Sequence, residues 1–368
     1  MRVWFAGGGT GGHLYPGLAI ARAMIAEDPS VRPFFVGARR GIERELLPEQ
    51  GFPYELLDLH PLYRSKPWQN WRTLRGMLSA WRRLGALARD QRPALVVGTG
   101  GYGAALALAF GVRHRIPIAL QEANSHPGLT VRLFARFARA VYLGFPEAAR
   151  ALKAPAEVLH DTGCPIDPPP APRPDAAAAR AAWGFPREGG RVILAFGGSQ
   201  GARGLNAVVA DWVRAGIPRD TYMIWGTGRA QHAELAPLQG DRVRIRPYLA
   251  PITQAYAAAD VAITRAGAMT TAELCAWGIP MFLVPLPTAA ADHQTENAKS
   301  LHAAGAAIHL PQPGLTALML DAIVRNVLDD PARLASLAAA ARARARPDAA
   351  RVIARNALEI ASGTATPR

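Results

Sequence analysis

One arrangement occurs in both halves of this chain: an apolar strand runs into a cluster of glycines and then into a helical pattern. The first copy lies at residues 3–13 (VWFAGGGTGGH) and the second at residues 192–202 (VILAFGGSQGA). Glycines allow backbone N–H groups to approach an anion closely, and the following helix N-terminus adds partial positive charge, so each turn favours a phosphate. The sequence therefore predicts two doubly wound α/β domains, each with a phosphate-type site.

Other interpretations of these turns stay open at this point. Any doubly wound domain needs a tight strand-to-helix turn, whether or not it binds phosphate. Gly7, Gly9 and Gly12 also satisfy G-x-G-x-x-G, a weak dinucleotide signal when it stands alone. The second strand ends at residues 36–39 (VGAR), without an acidic residue for the ribose hydroxyls of NAD. A dehydrogenase that uses NADP is therefore a minor alternative.

Short β-type runs alternate with longer helical patterns along the chain, which predicts parallel sheets. The predicted strands are residues 3–6, 32–36, 95–97, 118–120, 141–143, 191–196, 222–225, 243–246, 261–264 and 281–284. Six prolines in residues 165–174 interrupt this alternation, because proline is excluded from helix interiors and central strands. We interpret this segment as the linker between two domains.

Composition limits the kinds of partner. The net charge of +14 at pH 7 favours phosphate-rich partners, either nucleic acid, an anionic membrane or nucleotide substrates. The longest nearly uncharged apolar run, residues 102–112, has about half the roughly 20 residues that a membrane span needs. The N-terminus does not resemble a signal peptide and is expected to form the first strand. The two cysteines lack metal-type spacing and fit a reducing cytoplasm.

Several ordered blocks resemble the MurG family of peptidoglycan glycosyltransferases. They are GGTGGH (8–13), GGY (100–102), QEAN (121–124) with GLT (128–130), GGSQGA (197–202), TRAGAMT (264–270) with Glu273, and DHQ (292–294) with Asn297. The resemblance implies a GT-B fold, in which two Rossmann-like doubly wound parallel-sheet domains face a central cleft. It implies an inverting transfer of N-acetylglucosamine (GlcNAc) from UDP-GlcNAc to the C4 hydroxyl of the muramyl residue of lipid I, which forms lipid II.

The resemblance also assigns roles to the domains. Residues 1–163 would bind the acceptor and the membrane, residues 164–343 would bind UDP-GlcNAc, and a C-terminal helix at about 344–360 would pack back on the first domain. The donor-binding residues implied are Asn124, Ser199, Gln200, Leu249, Glu273 and Gln294. Glu273 would accept the ribose hydroxyls, Ser199 would bind the diphosphate, and Gln294 would bind the sugar hydroxyls. The backbone of Leu249 would read the uracil, and Asn124 would touch the GlcNAc.

Catalysis by inversion needs a base that takes the proton of the acceptor hydroxyl. His13 is the first candidate, and Glu122 is the second, with a structural anchor as the alternative role for Glu122. The acceptor and its phosphates would lie against Gly9, Thr10, Gly11, Gly12 and Tyr102. Helix termini and glycine-turn amides can neutralise the leaving UDP, so neither a metal nor another cofactor is expected.

The chain departs from the family pattern at three positions. Asp167 stands where the family has a phosphate-binding Arg, and a carboxylate would repel a diphosphate. Arg203 or Arg265 is a candidate to replace that Arg. Gln121 stands where a His is common, and Ala123 where a Gln is common.

A stretch between residues 64 and 92 combines tryptophans with an excess of arginines, the pattern of a helix that lies in a membrane interface. The predicted membrane patch is Trp68, Trp71, Leu74, Leu78, Trp81, Arg72, Arg75 and Arg82. A second basic and aromatic cluster at residues 132–139 could extend it. The alternative is an amphipathic helix that faces the domain core. No nucleic-acid motif accompanies the charge, which speaks against nucleic acid as a partner. The resemblance, with its lipid-linked acceptor, implies peripheral attachment to the anionic inner membrane on its cytoplasmic side.

Three other functions remain to be discriminated. A glycolipid synthase of the same fold would use diacylglycerol as its acceptor. A UDP-GlcNAc 2-epimerase shares the architecture but has no need of the tryptophan and arginine stretch. A membrane-bound sensor would bind UDP-sugar without turnover, and Asp167 is the feature that keeps this alternative open.

Overall fold

The computed structural model describes residues 1–59, 70–198 and 202–364, with backbone alone for residues 70–74. The chain divides into two compact units. One comprises Met1–Asp167 together with Asp348–Arg368, and the other comprises Pro168–Pro347. Each unit is built on one parallel sheet, so the predicted fold class of two parallel-sheet α/β domains is confirmed.

The first unit contains a seven-stranded sheet with the order β3-β2-β1-β4-β5-β6-β7, and every pair of neighbours is parallel. Its strands are β1 (Arg2–Gly7), β2 (Arg32–Ala38), β3 (Tyr54–Leu57), β4 (Leu95–Gly100), β5 (Ile118–Glu122), β6 (Ala140–Leu143) and β7 (Leu159–Asp161). Its first five helices are α1 (Gly11–Glu27), α2 (Glu43–Leu46), α3 (Asn70–Asp90), α4 (Tyr102–Arg113) and α5 (Leu129–Phe134).

Alternate side chains of β1 enter the two cores of this sheet, as expected for a strand covered on both faces. Trp4 is fully buried beside Phe110, with ring centroids 5.8 Å apart. Phe5 points to the other face and stacks on Phe35 at 5.3 Å. Because both faces are apolar and buried, the carboxyl edge of the sheet is where polar side chains can collect.

The second unit contains a six-stranded parallel sheet with the order β10-β9-β8-β11-β12-β13. Its strands are β8 (Arg191–Phe196), β9 (Thr221–Gly226), β10 (Val243–Arg246), β11 (Val261–Thr264), β12 (Met281–Leu283) and β13 (Ala307–His309). Its helices are α6 (Ala176–Ala182), α7 (Arg203–Ala215), α8 (Arg229–Leu235), α9 (Ile252–Ala258), α10 (Ala268–Trp277), α11 (His293–Ala303), α12 (Ala317–Leu328) and α13 (Pro331–Arg344).

Two buried tryptophans of this unit keep their indole N–H groups paired. Trp225 donates to the side-chain oxygen of the buried Asn206 at 3.1 Å, and Trp212 donates to Asp321 at 2.8 Å. Asn206 itself donates to the carbonyl of Thr227 at 2.8 Å. These bonds connect α7 to β9 and α12, and they fix the helix that follows the second glycine turn.

The last helix, α14 (Ala349–Ser362), belongs to the first unit and packs on α1. Ile353 is fully buried in the core between the sheet and these helices. Tyr142 of β6 donates to Asn356 at 2.9 Å, and Arg355 pairs with Glu27 at 2.8 Å. The chain terminus therefore stabilises the helix that begins at the first glycine turn.

None of the helices in the described part of the chain combines the length and apolarity that a membrane crossing requires.

Candidate active site

Both glycine turns lie where the strand order of a sheet reverses. In the first unit, β1 has β2 on one side and β4 on the other, and in the second unit β8 has β9 and β11. Parallel sheets bind ligands outside the carboxyl ends of the strands at such a switch point. The turns after β1 and β4, and the turns after β8 and β11, are therefore the candidate positions in each unit.

The first turn is built over a buried carboxylate. Glu43 of α2 is fully buried, and its Oε2 accepts the N–H of Gly9 at 3.0 Å while its Oε1 accepts the N–H of Ala38 at 3.2 Å. A side-chain carbon on Gly8 would lie 1.5 Å from Glu43 Oε1, so only glycine fits there. Gly8 and Gly9 both have positive φ, of 152° and 91°, which glycine adopts without strain.

His13 lies in the first turn of α1, half-buried against this turn. Its Nδ1 is 3.2 Å from the carbonyl oxygen of Gly8 and 3.2 Å from Thr10 Oγ1. A carbonyl oxygen only accepts hydrogen bonds, so this contact favours the tautomer with the proton on Nδ1, in which Nε2 is the basic nitrogen of the neutral ring. Thr99 of β4 donates to the backbone oxygen of His13 at 2.6 Å, which fixes the start of the helix to the sheet.

Further residues of the predicted acceptor site lie beside His13. A side-chain carbon on Gly100 would be 2.9 Å from the imidazole, and one on Gly9 would be 3.3 Å from the ring of Tyr102. Thr130 of α5 donates to the carbonyl of Gly101 at 2.9 Å. The structure thus brings His13, Tyr102 and the turns after β1 and β4 together, and connects them to α5.

Glu122 ends β5 with its side chain buried, and it organises the loop that follows. Its Oε1 accepts the backbone N–H of Asn124 at 2.9 Å and the side-chain amide at 3.2 Å. Its Oε2 accepts the N–H of Gly128 at 2.8 Å, immediately before α5 begins. Burial raises the pKa of the Glu122 carboxyl above its usual value, and the hydrogen bonds from Asn124 and Gly128 partly oppose that shift. This geometry is that of an anchor for the loop that carries Asn124.

In the second unit, Glu273 of α10 is half-buried, and its Oε2 accepts the hydroxyl of Tyr256 at 2.6 Å. Burial raises the pKa of Tyr256 well above its usual value, and Glu273 raises it further. The tyrosine therefore stays neutral and keeps donating its proton. This contact holds the carboxylate in one orientation near the turn after β11.

Two other predicted donor residues occupy loops after strands. Gln294, in the first turn of α11, accepts the backbone N–H of Leu286 at 3.0 Å through Oε1. Leu249 follows β10 with a buried side chain, 3.0 Å from where a side-chain carbon on Gly226 would lie. Ser199 and Gln200 lie outside the described residues.

Arg265 follows β11 and is buried, and burial lowers the pKa of its guanidinium to about 10. Its Nη1 donates to the carbonyl oxygens of Val284 and Pro285 at 2.9 and 3.0 Å. Its Nη2 donates to Gln312 at 2.6 Å. Arg265 therefore connects the end of β11 to the loop after β12. Arg203, the other arginine considered as a replacement for the family Arg, is exposed in the first turn of α7.

The described side chains of α3, which carries most of the predicted membrane patch, divide between a side packed on the domain and an exposed side. Trp81 packs edge-on against Phe110 of α4 at 5.2 Å, and Leu84 is fully buried in the core. These residues face the sheet because α3 must bury one apolar stripe against α4 to be held in the domain. Met77 and Leu78 are 41% and 53% exposed, and Arg75 and Arg82 are exposed. Trp68 and the side chains of Trp71, Arg72 and Leu74 lie outside the described part.

Among the described side chains, no group of three or more His, Cys, Asp or Glu residues is arranged to hold a metal ion.

Sequence reasoning missed three residues of these sites: Glu43, Thr99 and Tyr256. Each one contacts a predicted residue or turn from a different element, so no local motif reveals it. The only signal for Glu43 is the pair of glycines that precede its helix, Gly37 and Gly41, both of which approach its carboxylate or stem. For Thr99 and Tyr256 the sequence contains no comparable signal.

Comparisons with known proteins agree with this architecture. Residues 3–143 match the N-terminal domain of glycosyltransferase family 28, and residues 192–353 match the C-terminal domain of that family.

Two curated relatives are similar over nearly their whole length. One, from Salinibacter ruber, is 39% identical over 366 residues, covering 98% of this chain and 96% of the relative. The other, from Symbiobacterium thermophilum, is 39% identical over 375 residues with the same coverages. Both are named UDP-N-acetylglucosamine–N-acetylmuramyl-(pentapeptide) pyrophosphoryl-undecaprenol N-acetylglucosamine transferase.

Among solved structures, the crystal structure of Acinetobacter baumannii MurG aligns with a TM-score of 0.76 at 27% identity. The alignment covers 97% of this chain and 99% of that chain.

Proposed function

This chain belongs to glycosyltransferase family 28, and on that premise we propose that it transfers GlcNAc from UDP-GlcNAc to lipid I to form lipid II. The acceptor oxygen, the C4 hydroxyl of the muramyl residue, forms a bond to the anomeric carbon of GlcNAc. The bond from that carbon to UDP breaks on the opposite face, so the configuration inverts. The hydroxyl proton passes to a base of the enzyme, and UDP leaves as an anion.

His13 is the base in this proposal. The observation that carries the assignment is the contact between its Nδ1 and the carbonyl oxygen of Gly8, which makes Nε2 the nitrogen that can accept a proton. The ring lies beside Gly100 and near the predicted acceptor residues Gly9, Thr10 and Tyr102. Gly11 and Gly12 form the start of α1, where the helix dipole favours the acceptor phosphates.

Glu122 has the second role in the proposal. Its two oxygens already accept three N–H groups of the loop that follows, so it positions Asn124 toward the GlcNAc rather than abstracting a proton. Transfer activity of His13→Gln and Glu122→Gln tests whether these two roles are instead exchanged.

The second unit holds the donor. Glu273 accepts ribose hydroxyls with a carboxylate oriented by Tyr256, and Gln294 contacts the sugar through an amide held by Leu286. The backbone at Leu249 reads the uracil, and Ser199 with Gln200 binds the diphosphate at the turn after β8. No metal ion or other cofactor takes part, because amide groups and helix N-termini can stabilise the leaving diphosphate.

The enzyme binds the cytoplasmic face of the anionic inner membrane as a peripheral protein. The support for this is two groups of residues in the first unit, on α3 and at residues 129–139, in which exposed apolar side chains occur among exposed arginines. The apolar side chains are Met77, Leu78, Leu129, Leu133 and Phe137, and the arginines are Arg75, Arg82, Arg132, Arg136 and Arg139. An acceptor with a polyprenyl chain brings its reacting sugar to the membrane that these side chains bind. Nucleic acid is not a partner in this proposal.

The decisive experiment is transfer of labelled GlcNAc from UDP-GlcNAc to a short-chain lipid I analogue, with diacylglycerol as the parallel acceptor. Label in the lipid I product, and none in diacylglycerol, is the expected result. Label in diacylglycerol alone would instead identify a glycolipid synthase. UDP-GlcNAc binding without transfer to either acceptor would identify a sensor. Formation of UDP-N-acetylmannosamine, or of UDP and N-acetylmannosamine through its hydrolysis by water, would identify an epimerase.

A further inference from the structure

A single peptide group connects a carboxylate to the imidazole of His13. The N–H of Gly9 donates to Glu43 Oε2 at 3.0 Å, and the carbonyl of Gly8 lies 3.2 Å from His13 Nδ1. That N–H and that carbonyl belong to the same planar amide, the peptide bond between Gly8 and Gly9. The order of contacts is therefore carboxylate, peptide, imidazole.

The carboxylate is built into the fold. Glu43 is fully buried, and the two N–H groups it accepts come from the end of β2 and from the glycine turn. A side-chain carbon on Gly8 would lie 1.5 Å from Glu43 Oε1, and one on Gly41 would lie 1.9 Å from Oε2. Any residue other than glycine at either position would displace the carboxylate. Gly8 and Gly41 therefore leave the space that the buried Glu43 carboxylate needs to accept its two N–H groups.

Such an arrangement has a defined electrostatic effect. Hydrogen bonds to a charged acceptor are stronger than neutral ones, and bonds connected in a chain polarise one another. A carboxylate on the N–H side of a peptide increases the negative partial charge of its carbonyl oxygen. That oxygen then holds the proton on Nδ1 more firmly and interacts more favourably with an imidazolium than with a neutral ring.

We propose that Glu43 is a positioning residue for the transfer reaction, acting on His13 through the peptide between Gly8 and Gly9. This inference rests on the proposed role of His13 as base. When Nε2 takes the proton of the acceptor hydroxyl, the proton on Nδ1 stays in place and the polarised carbonyl stabilises the positive ring. Glu43 touches neither substrate and neither gains nor loses a proton in the step.

The test compares two variants of one helix. Glu43→Gln keeps the side-chain size and removes the charge, and kcat should fall by about tenfold to a hundredfold. The KM for UDP-GlcNAc should stay within about twofold, because the donor binds the other unit. Glu45→Gln is the matched control, since Glu45 is an exposed carboxylate in the same helix, and it should behave like the wild type.

A spectroscopic measurement follows the ring itself. In enzyme with ¹⁵N-labelled histidine, the His13 signal, identified by its loss in His13→Gln, should show the Nδ1–H tautomer. In Glu43→Gln this tautomer should lose its dominance. A purely structural role for Glu43 would leave the His13 tautomer unchanged in a folded variant. A Glu43→Gln enzyme that keeps both the wild-type tautomer and the wild-type kcat would therefore overturn the inference.

The same set of variants separates this inference from the proposed function. Full activity in His13→Gln would show that the base itself is assigned wrongly. An inactive His13→Gln together with a fully active Glu43→Gln would overturn the role of Glu43 alone. If Glu43→Gln does not fold, two measurements on the wild-type protein test the inference instead. A His13 ring protonated at Nε2 would contradict the connection between Glu43 and His13. A Gly9 amide that exchanges its hydrogen as fast as an exposed loop amide would contradict it too.

Discussion

The His13 ring contacts the carbonyl oxygen of Gly8, which lies 3.2 Å from Nδ1 and can only accept a hydrogen bond. A glutamine at position 13 could keep a hydrogen bond to that oxygen but has no basic nitrogen. We therefore expect His13→Gln to lower kcat by about a hundredfold or more, the usual contribution of a general base. The measurement is steady-state transfer to a lipid I analogue.

The companion measurement for this variant is UDP binding by calorimetry. Because the donor is assigned to the second unit, the Kd for UDP should not change in His13→Gln. If Glu122→Gln abolishes transfer while His13→Gln does not, the base is Glu122 and the anchor role proposed for that carboxylate is wrong.

The Glu273 carboxylate accepts a hydrogen bond from the hydroxyl of Tyr256 at 2.6 Å, which helps to orient it. Glu273→Gln should weaken UDP binding by about 1.5 to 3 kcal/mol, the cost of losing hydrogen bonds to a charged acceptor. Tyr256→Phe should cost less, about 1 kcal/mol, because the carboxylate remains and loses one hydrogen bond. Calorimetric titration with UDP measures both losses.

Glu234→Gln provides the control for the donor site, since it makes the same change at an exposed position on α8. Its Kd for UDP should equal that of the wild type. Equal affinity in Glu273→Gln and Glu234→Gln would remove the ribose assignment and leave the carboxylate with a packing role beside Tyr256.

At the residue scale, the sequence predicted where site residues lie in the sheet better than it predicted which side chains they contact. His13 and Tyr102 follow glycine turns, so their placement at the sheet edge could be inferred from local pattern alone. Glu43 could not be inferred in this way, because it reaches Gly9 across 34 residues and looks like any acid of a short helix. Contacts between elements depend on the packing of the whole sheet, which local patterns do not describe.

At the scale of elements, α14 is a structural part of the unit that contains His13. Ile353 is fully buried where α14 packs with α1, whereas its neighbour Val352 is 49% exposed. Ile353→Ala should destabilise the first unit by about 2–5 kcal/mol through lost burial and a cavity. Hydrogen exchange of the α1 amides, which reports the opening of that unit, should become correspondingly faster.

Val352→Ala shortens a side chain of similar size on the exposed side of α14. It should change the stability by no more than about 0.5 kcal/mol. If both variants accelerate hydrogen exchange of the α1 amides equally, the stability of the first unit does not depend on the buried side chain of Ile353 in particular.

Strand prediction succeeded for all the described interior strands of both sheets and for one edge strand, β10. All ten predicted strands occur in the structure, and the three that the sequence did not indicate are β3, β7 and β13. These three lie at sheet edges and have only three or four residues. An edge strand is paired on one side only and can be less apolar, and the sequences of these three strands lack the runs of Val, Ile and Leu that mark a central strand.

The helix α3 shows what sequence periodicity cannot predict about a helix, namely which of its apolar residues face the core. Its apolar residues recur at helical spacing, and the same spacing suits a core-facing stripe and a membrane-facing stripe. In the structure, Trp81 and Leu84 pack toward the sheet, and Leu78 is exposed. The periodicity predicted the helix correctly but could not divide its residues between core and surface.

At the scale of the whole molecule, the question is whether the net charge of +14 or a local surface controls membrane binding. Each arginine near an anionic bilayer contributes about 1 kcal/mol, and this attraction falls off within about 10 Å at 0.1 M salt. Only arginines on the binding surface should therefore matter. Two double variants with the same loss of charge separate the alternatives.

Arg75→Gln with Arg82→Gln removes two charges from the exposed side of α3, and Arg187→Gln with Arg219→Gln removes two exposed charges from the second unit. The first pair should lower binding to vesicles with anionic lipids by about tenfold to thirtyfold, and the second pair should leave it nearly unchanged. Sedimentation with vesicles at two salt concentrations measures this. Equal losses in both pairs would show that binding follows net charge, and the surface around Leu78 would then lose its assigned role.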